Sequence, residues 1–314
     1  MAKLVHLSEV EHDPDTVLTV GTFDGVHVGH RRIMRRVLEK AENRQHRSVI
    51  VTFDPHPRNI INPGSEGIRL LTTLEERCQL LEEIGIHEMV VIPFDRDFSL
   101  KSSKEFVEEI LFSKVGISEF VIGYDHHFGK DREGTIDTVK RLGNKLGFNT
   151  EVVSRKDVNE KPVSSTAIRE LLMEKGDIKQ ANKFLGRCYR LTGTVVHGQK
   201  RGEELGFPTA NIKPDHEQKA VPRNGVYAVR GYVNNEEYAG MMNIGTRPTF
   251  GSDEEPVLEV HFLEFNADLY GKTLQVEFLE RIRNEQKFDS KEELINQLKK
   301  DKKIAENANK SYLR

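Results

Sequence analysis

The chain of 314 residues (35.9 kDa) is long enough for two domains of ordinary size, each with its own core. With 37% hydrophobic and 31% charged residues and a mean hydropathy of −0.55, the composition argues against a disordered or fibrous protein, and no apolar run reaches the roughly 18 residues of a membrane span. The formal charge of −3, from 47 basic and 50 acidic residues, lacks the basic excess of a nucleic-acid-bound protein.

The opening MAKLVHLSEVEHD has no secretory apolar stretch. Two cysteines, Cys78 and Cys188, are too few for a disulfide framework and are not spaced as zinc ligands. A reduced, cytoplasmic chain acting on small molecules is expected, with neither nucleic acid nor membrane as partner. The basic cluster Arg31 to Arg36 reads as a solvated helix face.

Along the first half, strands alternate with helices. VLTVG (17–21), SVIVTF (48–53), EMVVIPF (88–94) and EFVIG (119–123) read as buried strands. Between them, HRRIMRRVLEKAEN, TLEERCQLLEEIG and the Ser-capped SSKEFVEEILFSKV have helical spacing. Such alternation implies a parallel sheet covered on both faces, with ligands at the carboxyl ends of its strands. A long helix-like stretch, STAIRELLMEKGDIKQANKFLG, follows. From Tyr189 the texture changes to short β-rich runs (RLTGTVV, GVYAVRGYV, EEYAGMMNI, VLEVHFLEF, TLQVEFLERI), as in an antiparallel barrel or sandwich, and the helix SKEELINQLKKDKKIAENANK closes the chain. The boundary is expected between residues 182 and 183, giving domains 1–182 and 183–314.

The loop GTFDGVHVGH (21–30) joins the first strand to the first helix. Its glycines, Gly21 among them, let backbone approach a ligand, and the helix N-terminus behind it suits an anion. His27 and His30, three apart, can face one phosphate and stabilise charge developing on it. The loop is neither a Walker nor a GxGxxG fingerprint. A plain Gly-rich turn with two surface histidines, or a zinc pair, remains open. SSTAIR (164–169) opens a later helix: its hydroxyls cap that helix, or Arg169 one turn in reaches a phosphate at its start.

In the second half, GTVVHGQKRGEELGFPTANI (193–212) combines a Gly-rich flap carrying Lys200 and Arg201 with Thr209 and Asn211 on alternate positions. Thr209 and Asn211 offer hard oxygen ligands of the kind Mg²⁺ takes beside ATP, or are simply a strand threonine and a turn asparagine. Glu259, His261 and Glu264 are the polar residues of LEVHFLEF. Glu259 is either a base for a hydroxyl attacking a γ-phosphate or a solvent-facing strand residue.

HVGH with SSTAIR resembles the nucleotidyltransferase superfamily. More narrowly, GTFDGVHVGH, TFDPHP, IGYDHHFGKDREGT and SSTAIR resemble the FMN adenylyltransferase module of bacterial FAD synthetases. GFPTANI, GVYAV, NIGTRPTF, LEVHF and DLYG stand in the order seen in riboflavin kinases. Together these resemblances cover nearly the whole chain. They imply an α/β nucleotidyltransferase-type parallel sheet domain, then an antiparallel β-barrel kinase domain with a C-terminal helix.

The implied activity is ATP-dependent phosphorylation of riboflavin to FMN, then adenylylation of FMN to FAD. By resemblance, His27, His30 and Arg169 act on the ATP phosphates, and Gly21, Phe23, Ser164 and Thr166 bind that ATP. Asp125 and Phe128 lie on the flavin side, where His126 replaces an aromatic common in the family. In the kinase half, Gly198, Lys200 and Gly202 form the nucleotide flap, Thr209 and Asn211 hold Mg²⁺-ATP, and Glu259 is the base. The 265–285 region, including Arg281, is expected to close over the flavin.

Overall fold

The computed structural model describes residues 2–61, 67–124, 128–130, 133–154, 157–158, 161–197, 205–233, 236–246, 256–265 and 267–312. The chain divides into two compact units, Met1–Ser165 and Thr166–Arg314.

In the first unit, β1 (Lys3–His6), β2 (Thr16–Val20), β3 (Arg47–Asp54), β4 (Glu88–Pro93), β5 (Glu119–Gly123) and β6 (Asn149–Val153) form one sheet in the order β1-β4-β3-β2-β5-β6. Every pairing in it is parallel. The expected strands are all present as β2 to β5, and their continuous apolar runs are buried, as a sheet covered on both faces requires. The sequence reading missed β1 and β6, which are the two edges. Chain order runs outward from β2 through β3 to β4, then returns to β5 on the other side of β2, so the sheet switches direction beside β2. A crevice at the carboxyl end of that strand follows.

Helices α1 (Val28–Arg44), α3 (Leu74–Ile84) and α6 (Ile136–Leu146) cover the sheet, and the short α2 (Pro57–Ile61), α4 (Arg96–Ser99) and α5 (Ser103–Glu105) lie in the connections between its strands. The expected serine cap is Ser102, which forms a capping box with Glu105, and α5 runs on as a π-helix over Phe106–Val115. One core gathers Leu18, Val51, Ile92, Leu111 and Phe120; another gathers Met34, Val37, Ile50, Leu81 and Met89.

A short hairpin, β7 (Asp157–Val158) with β8 (Lys161–Pro162), precedes α7 (Ser165–Arg169). The helix expected to run unbroken from here to residue 186 is interrupted. It continues as a π-helix over Glu170–Lys175, stops at Gly176 in the left-handed region (φ 68), and restarts as α8 (Ile178–Leu185) with Asp177 as N-cap. The expected boundary at 182/183 falls inside α8.

In the second unit, β9 (Tyr189–Val196), β10 (Ala210–Pro214), β11 (Gly225–Val233), β12 (Glu236–Thr246), β13 (Pro256–Phe262) and β14 (Thr273–Arg283) close a barrel in the order β10-β13-β12-β11-β14-β9. All its pairings are antiparallel. Tyr189, Tyr227 and Phe278 are buried in it, the Phe278 ring centroid lying 6.0 Å from that of Tyr189 and 5.5 Å from that of Tyr227. Ala305 and Ala308 of α9 (Lys291–Tyr312) join Ala228, Met241 and Leu279 in a separate apolar cluster.

Candidate active sites

The 21–27 turn leaves β2 at the switch point and enters α1. Three of its residues sit at positive φ: Phe23 (46°), Gly25 (85°) and Val26 (39°). For a phenylalanine and a β-branched valine that conformation costs about 1–3 kcal/mol each, and the surroundings must hold it. The fully buried carboxylate of Asp24 does so, accepting from the N–H groups of Leu71 (3.1 Å) and Thr72 (2.9 Å) and from the Thr72 hydroxyl (3.2 Å). Gly25 N–H donates to the same hydroxyl at 2.9 Å.

His27 is the N-cap of α1, and its Nδ1 accepts the N–H of His30 at 3.3 Å. A nitrogen that accepts is unprotonated, so the neutral ring carries its proton on Nε2. The imidazoles of His27 and His30 are stacked, with centroids 3.5 Å apart and planes at 20°, and Phe23 meets His30 edge-on at 5.2 Å. A Cβ at Gly29 would lie 3.1 Å from Cε1 of His27, and one at Gly21 would lie 3.0 Å from the Phe23 ring. The glycines of the motif therefore make room for the rings that flank them.

Ser165, the first residue of α7, donates its hydroxyl to the Asp24 carbonyl at 2.8 Å. Sequence reasoning chose its neighbours Ser164 and Thr166 instead. Both are exposed, Thr166 in the first turn of α7, and Arg169 is half-buried at that helix's end. The aromatic wall at the ends of β3 and β4 was also missed. Phe53 touches Phe94 (5.5 Å), Phe98 (6.1 Å) and Phe106 (6.2 Å), and Phe128 packs on Phe106 at 5.7 Å. Phe53 directly follows Thr52, whose hydroxyl donates to the Thr22 carbonyl; the same strand end thus meets the turn through Thr52 and carries the wall on its opposite face through Phe53. Asp125 and His126 lie outside the described residues.

In the barrel, Glu259 is paired with Asn211 on one side and Asn243 on the other. Directly paired residues share a face of the sheet, so these three polar groups form one row, while Leu258, Val260 and Phe262 point to the buried face. Asn243 was not read from the sequence; its amide donates to Glu285 at 3.5 Å. Thr209 lies one residue ahead of β10 rather than within it. The carbonyl before it, of Pro208, takes a 2.7 Å hydrogen bond from Nδ1 of His261, whose ring meets Phe207 edge-on at 5.2 Å. Burial lowers the His261 pKa, and the bond to Pro208 works against that shift.

A threonine hydroxyl and an asparagine amide, both hard oxygens beside a carboxylate, suit Mg²⁺ when phosphate oxygens and water complete its shell. Among the described residues no cluster of three His, Cys, Asp or Glu could hold a metal alone. Gly198, Lys200 and Gly202 lie outside the described residues. Arg281 donates to the Asn224 carbonyl and lies over the Tyr227 ring, so its side chain faces the start of β11.

A family model described as FAD synthetase matches residues 9–167, and one described as riboflavin kinase matches residues 185–309. The bifunctional riboflavin kinase/FMN adenylyltransferase of Bacillus subtilis (strain 168) is 35% identical over 311 residues, 96% of this chain and 97% of its own length. The Pseudomonas fluorescens protein of the same name is 37% identical over 278 residues, 88% of each chain. The crystal structure of a macrolide-efflux protein from Streptococcus pneumoniae is similar with a TM-score of 0.88 at 30% identity, over 97% of this chain and 99% of that one. Efflux is said of that protein; here no helix among the described residues is long and apolar enough to cross a membrane. With both halves matched in order and the relatives aligned over most of their length, this chain belongs to the bifunctional riboflavin kinase/FMN adenylyltransferase family.

Proposed function

We propose that this protein phosphorylates riboflavin to FMN with one ATP and adenylylates FMN to FAD with a second. The observation that carries the reading is the division of labour itself. The two family matches fall on separate stretches of the chain, one holding the His27–His30 turn and the other the Asn211–Glu259 row. We take residues 1–182 as the adenylyltransferase part and 183–314 as the kinase part, in a cytoplasmic protein with no nucleic-acid partner.

In the kinase step, the riboflavin 5′-hydroxyl attacks the γ-phosphorus of ATP. A new P–O bond forms, the bond to the β-phosphate oxygen breaks, and ADP leaves. Glu259 takes the hydroxyl proton. Thr209 and Asn211 hold Mg²⁺ with the ATP phosphates, and the metal when bound neutralises phosphate charge. His261 fixes the backbone just before Thr209. Gly198, Lys200 and Gly202 of the flap cover the nucleotide.

In the adenylyltransferase step, the FMN phosphate attacks the α-phosphorus of ATP and pyrophosphate leaves. A phosphate monoester is already an anion near neutral pH, so this site needs no strong base. Its task is positioning and charge stabilisation. His27 donates from Nε2, His30 lies against it, and the N-terminus of α1 adds its dipole. Gly21, Phe23, Ser164, Thr166 and Arg169 complete the ATP contacts. Asp125 and Phe128 flank the flavin, for which the phenylalanine wall supplies an apolar face.

The test is chromatography of riboflavin, FMN and FAD during incubation of the purified protein with riboflavin, ATP and Mg²⁺. FMN followed by FAD is expected. FMN alone would remove the adenylyltransferase reading, and flavin binding without either product would replace both with a flavin-responsive binding protein.

A further inference from the structure

Arg77, in the first turn of α3, is 3% exposed, yet the mechanism above makes no use of its charge. A guanidinium is among the costliest groups to bury, and a well-built site gives it a carboxylate fork. Its hydrogen bonds here go to neutral atoms: Nη1 donates to the Thr52 hydroxyl (2.9 Å) and Nη2 to the Thr72 carbonyl (3.3 Å). Nε has no partner among the described residues. Burial draws the Arg77 pKa down, with Asp24 and Asp54 opposing through space.

Both of its acceptors lead to the 21–27 turn. The Thr52 hydroxyl in turn donates a hydrogen bond to the Thr22 carbonyl at 3.2 Å. Thr72 bonds Asp24 through its N–H and its hydroxyl, and that hydroxyl also accepts from Gly25. One planar fork thus ties the end of β3 and the entrance of α3 to the strained residues between Thr22 and Val26. Its charge also offsets that of the buried Asp24 carboxylate, so the turn meets an anion without an uncompensated negative charge behind it.

We propose that Arg77 is a positioning residue of the adenylyltransferase site, holding the 21–27 turn in its ATP-binding shape and biasing it toward the triphosphate. The inference rests on the proposed adenylyltransferase reading of this turn. Arg77 touches neither nucleotide nor flavin; it acts through Thr52 and Thr72. Loss of its fork is felt as weaker ATP capture, more than as a slower chemical step.

The experiment uses the full chain. FAD formation from supplied FMN is followed with ATP varied, for wild type, Arg77→Lys and Arg77→Met, with riboflavin phosphorylation measured in the same preparations. Arg77→Met removes charge and fork, and the expected result is a KM for ATP raised about tenfold or more, with kcat changed less. Arg77→Lys keeps the charge but only part of the fork, and its KM falls between the two. Riboflavin phosphorylation stays within about twofold of wild type, because the charge lies in the other unit. A Tm lowered with KM for ATP unchanged in either variant would make Arg77 a packing residue and overturn the proposal. If Arg77→Met does not fold, Arg77→Lys decides alone by the same criterion. Wild type that makes no FAD from FMN would instead sink the reading of the site, so the two failures are distinguishable.

Discussion

Nδ1 of His27 accepts the backbone N–H of His30, and the two rings lie stacked 3.5 Å apart. One side chain thus caps the first turn of α1 through Nδ1 and keeps its proton on Nε2. The cap is worth about 1 kcal/mol, whereas a donor aimed at developing phosphate charge is worth roughly 100-fold in rate.

The two roles of His27 separate under substitution. His27→Asn keeps an acceptor for the cap but lacks the Nε2 donor. FAD formation from FMN is expected to fall roughly 100-fold with the Tm nearly unchanged. His27→Ala should lose both. In His30→Ala, riboflavin is still phosphorylated and FMN accumulates. A flavin time course by chromatography, beside a thermal melt, reads all three variants.

Glu259→Gln keeps the shape of the Asn211–Glu259–Asn243 row and removes the proton acceptor. FMN formation is expected to drop by about 100-fold or more, and FAD formation from supplied FMN to stay intact. A parallel fall of both activities in a folded variant would contradict two independent sites.

Asp301 is fully buried in α9, where it accepts from Nε and Nη2 of Arg283 at 2.9 Å each and from Gln297 at 2.8 Å. Asp301→Ala removes the carboxylate from the Arg283 guanidinium and leaves it, among the described residues, the Asn284 carbonyl at 3.1 Å and the face of Phe288. The loss should be about 3–5 kcal/mol in urea unfolding of the kinase half. Replacing Arg283 and Asp301 together by methionine and leucine should cost less than Asp301→Ala alone.

His261 gives the barrel an acid limb. Its folded pKa lies below the ordinary 6.5 because burial disfavours the imidazolium, and Lys302 adds to this. Below that value the unfolded chain binds a proton that the folded ring resists, so stability is present above pH 6.5 and is lost as pH falls through the folded pKa. His261→Asn keeps an N–H donor for the Pro208 carbonyl and does not titrate. Its urea midpoint should change less than that of wild type between about pH 7.5 and about pH 5.5.

What was legible in the sequence was local. Strands β2 to β5 are apolar runs bounded by turn residues, and helical spacing announced α1 and α3. The edges were not legible: β1 has only four residues and β6, NTEVV, is mostly polar, as strands with one unpaired side tend to be. The break at Gly176 was hidden because the helical pattern on either side of it is continuous.

The sites divide in the same way. By itself the sequence determined HVGH, because a cap, a glycine and a stacked ring three residues on are set by the geometry of one helical turn. It also determined that Thr209 and Asn211 stand two apart. Only the tertiary structure decided what braces them. Ser165 reaches Asp24 across 141 residues of chain, Arg77 reaches Thr52, and Asn243 joins Glu259 through strand register. Nothing local marks such partners, since a serine, an arginine or an asparagine acquires its role there from whichever strand or loop folding brings alongside.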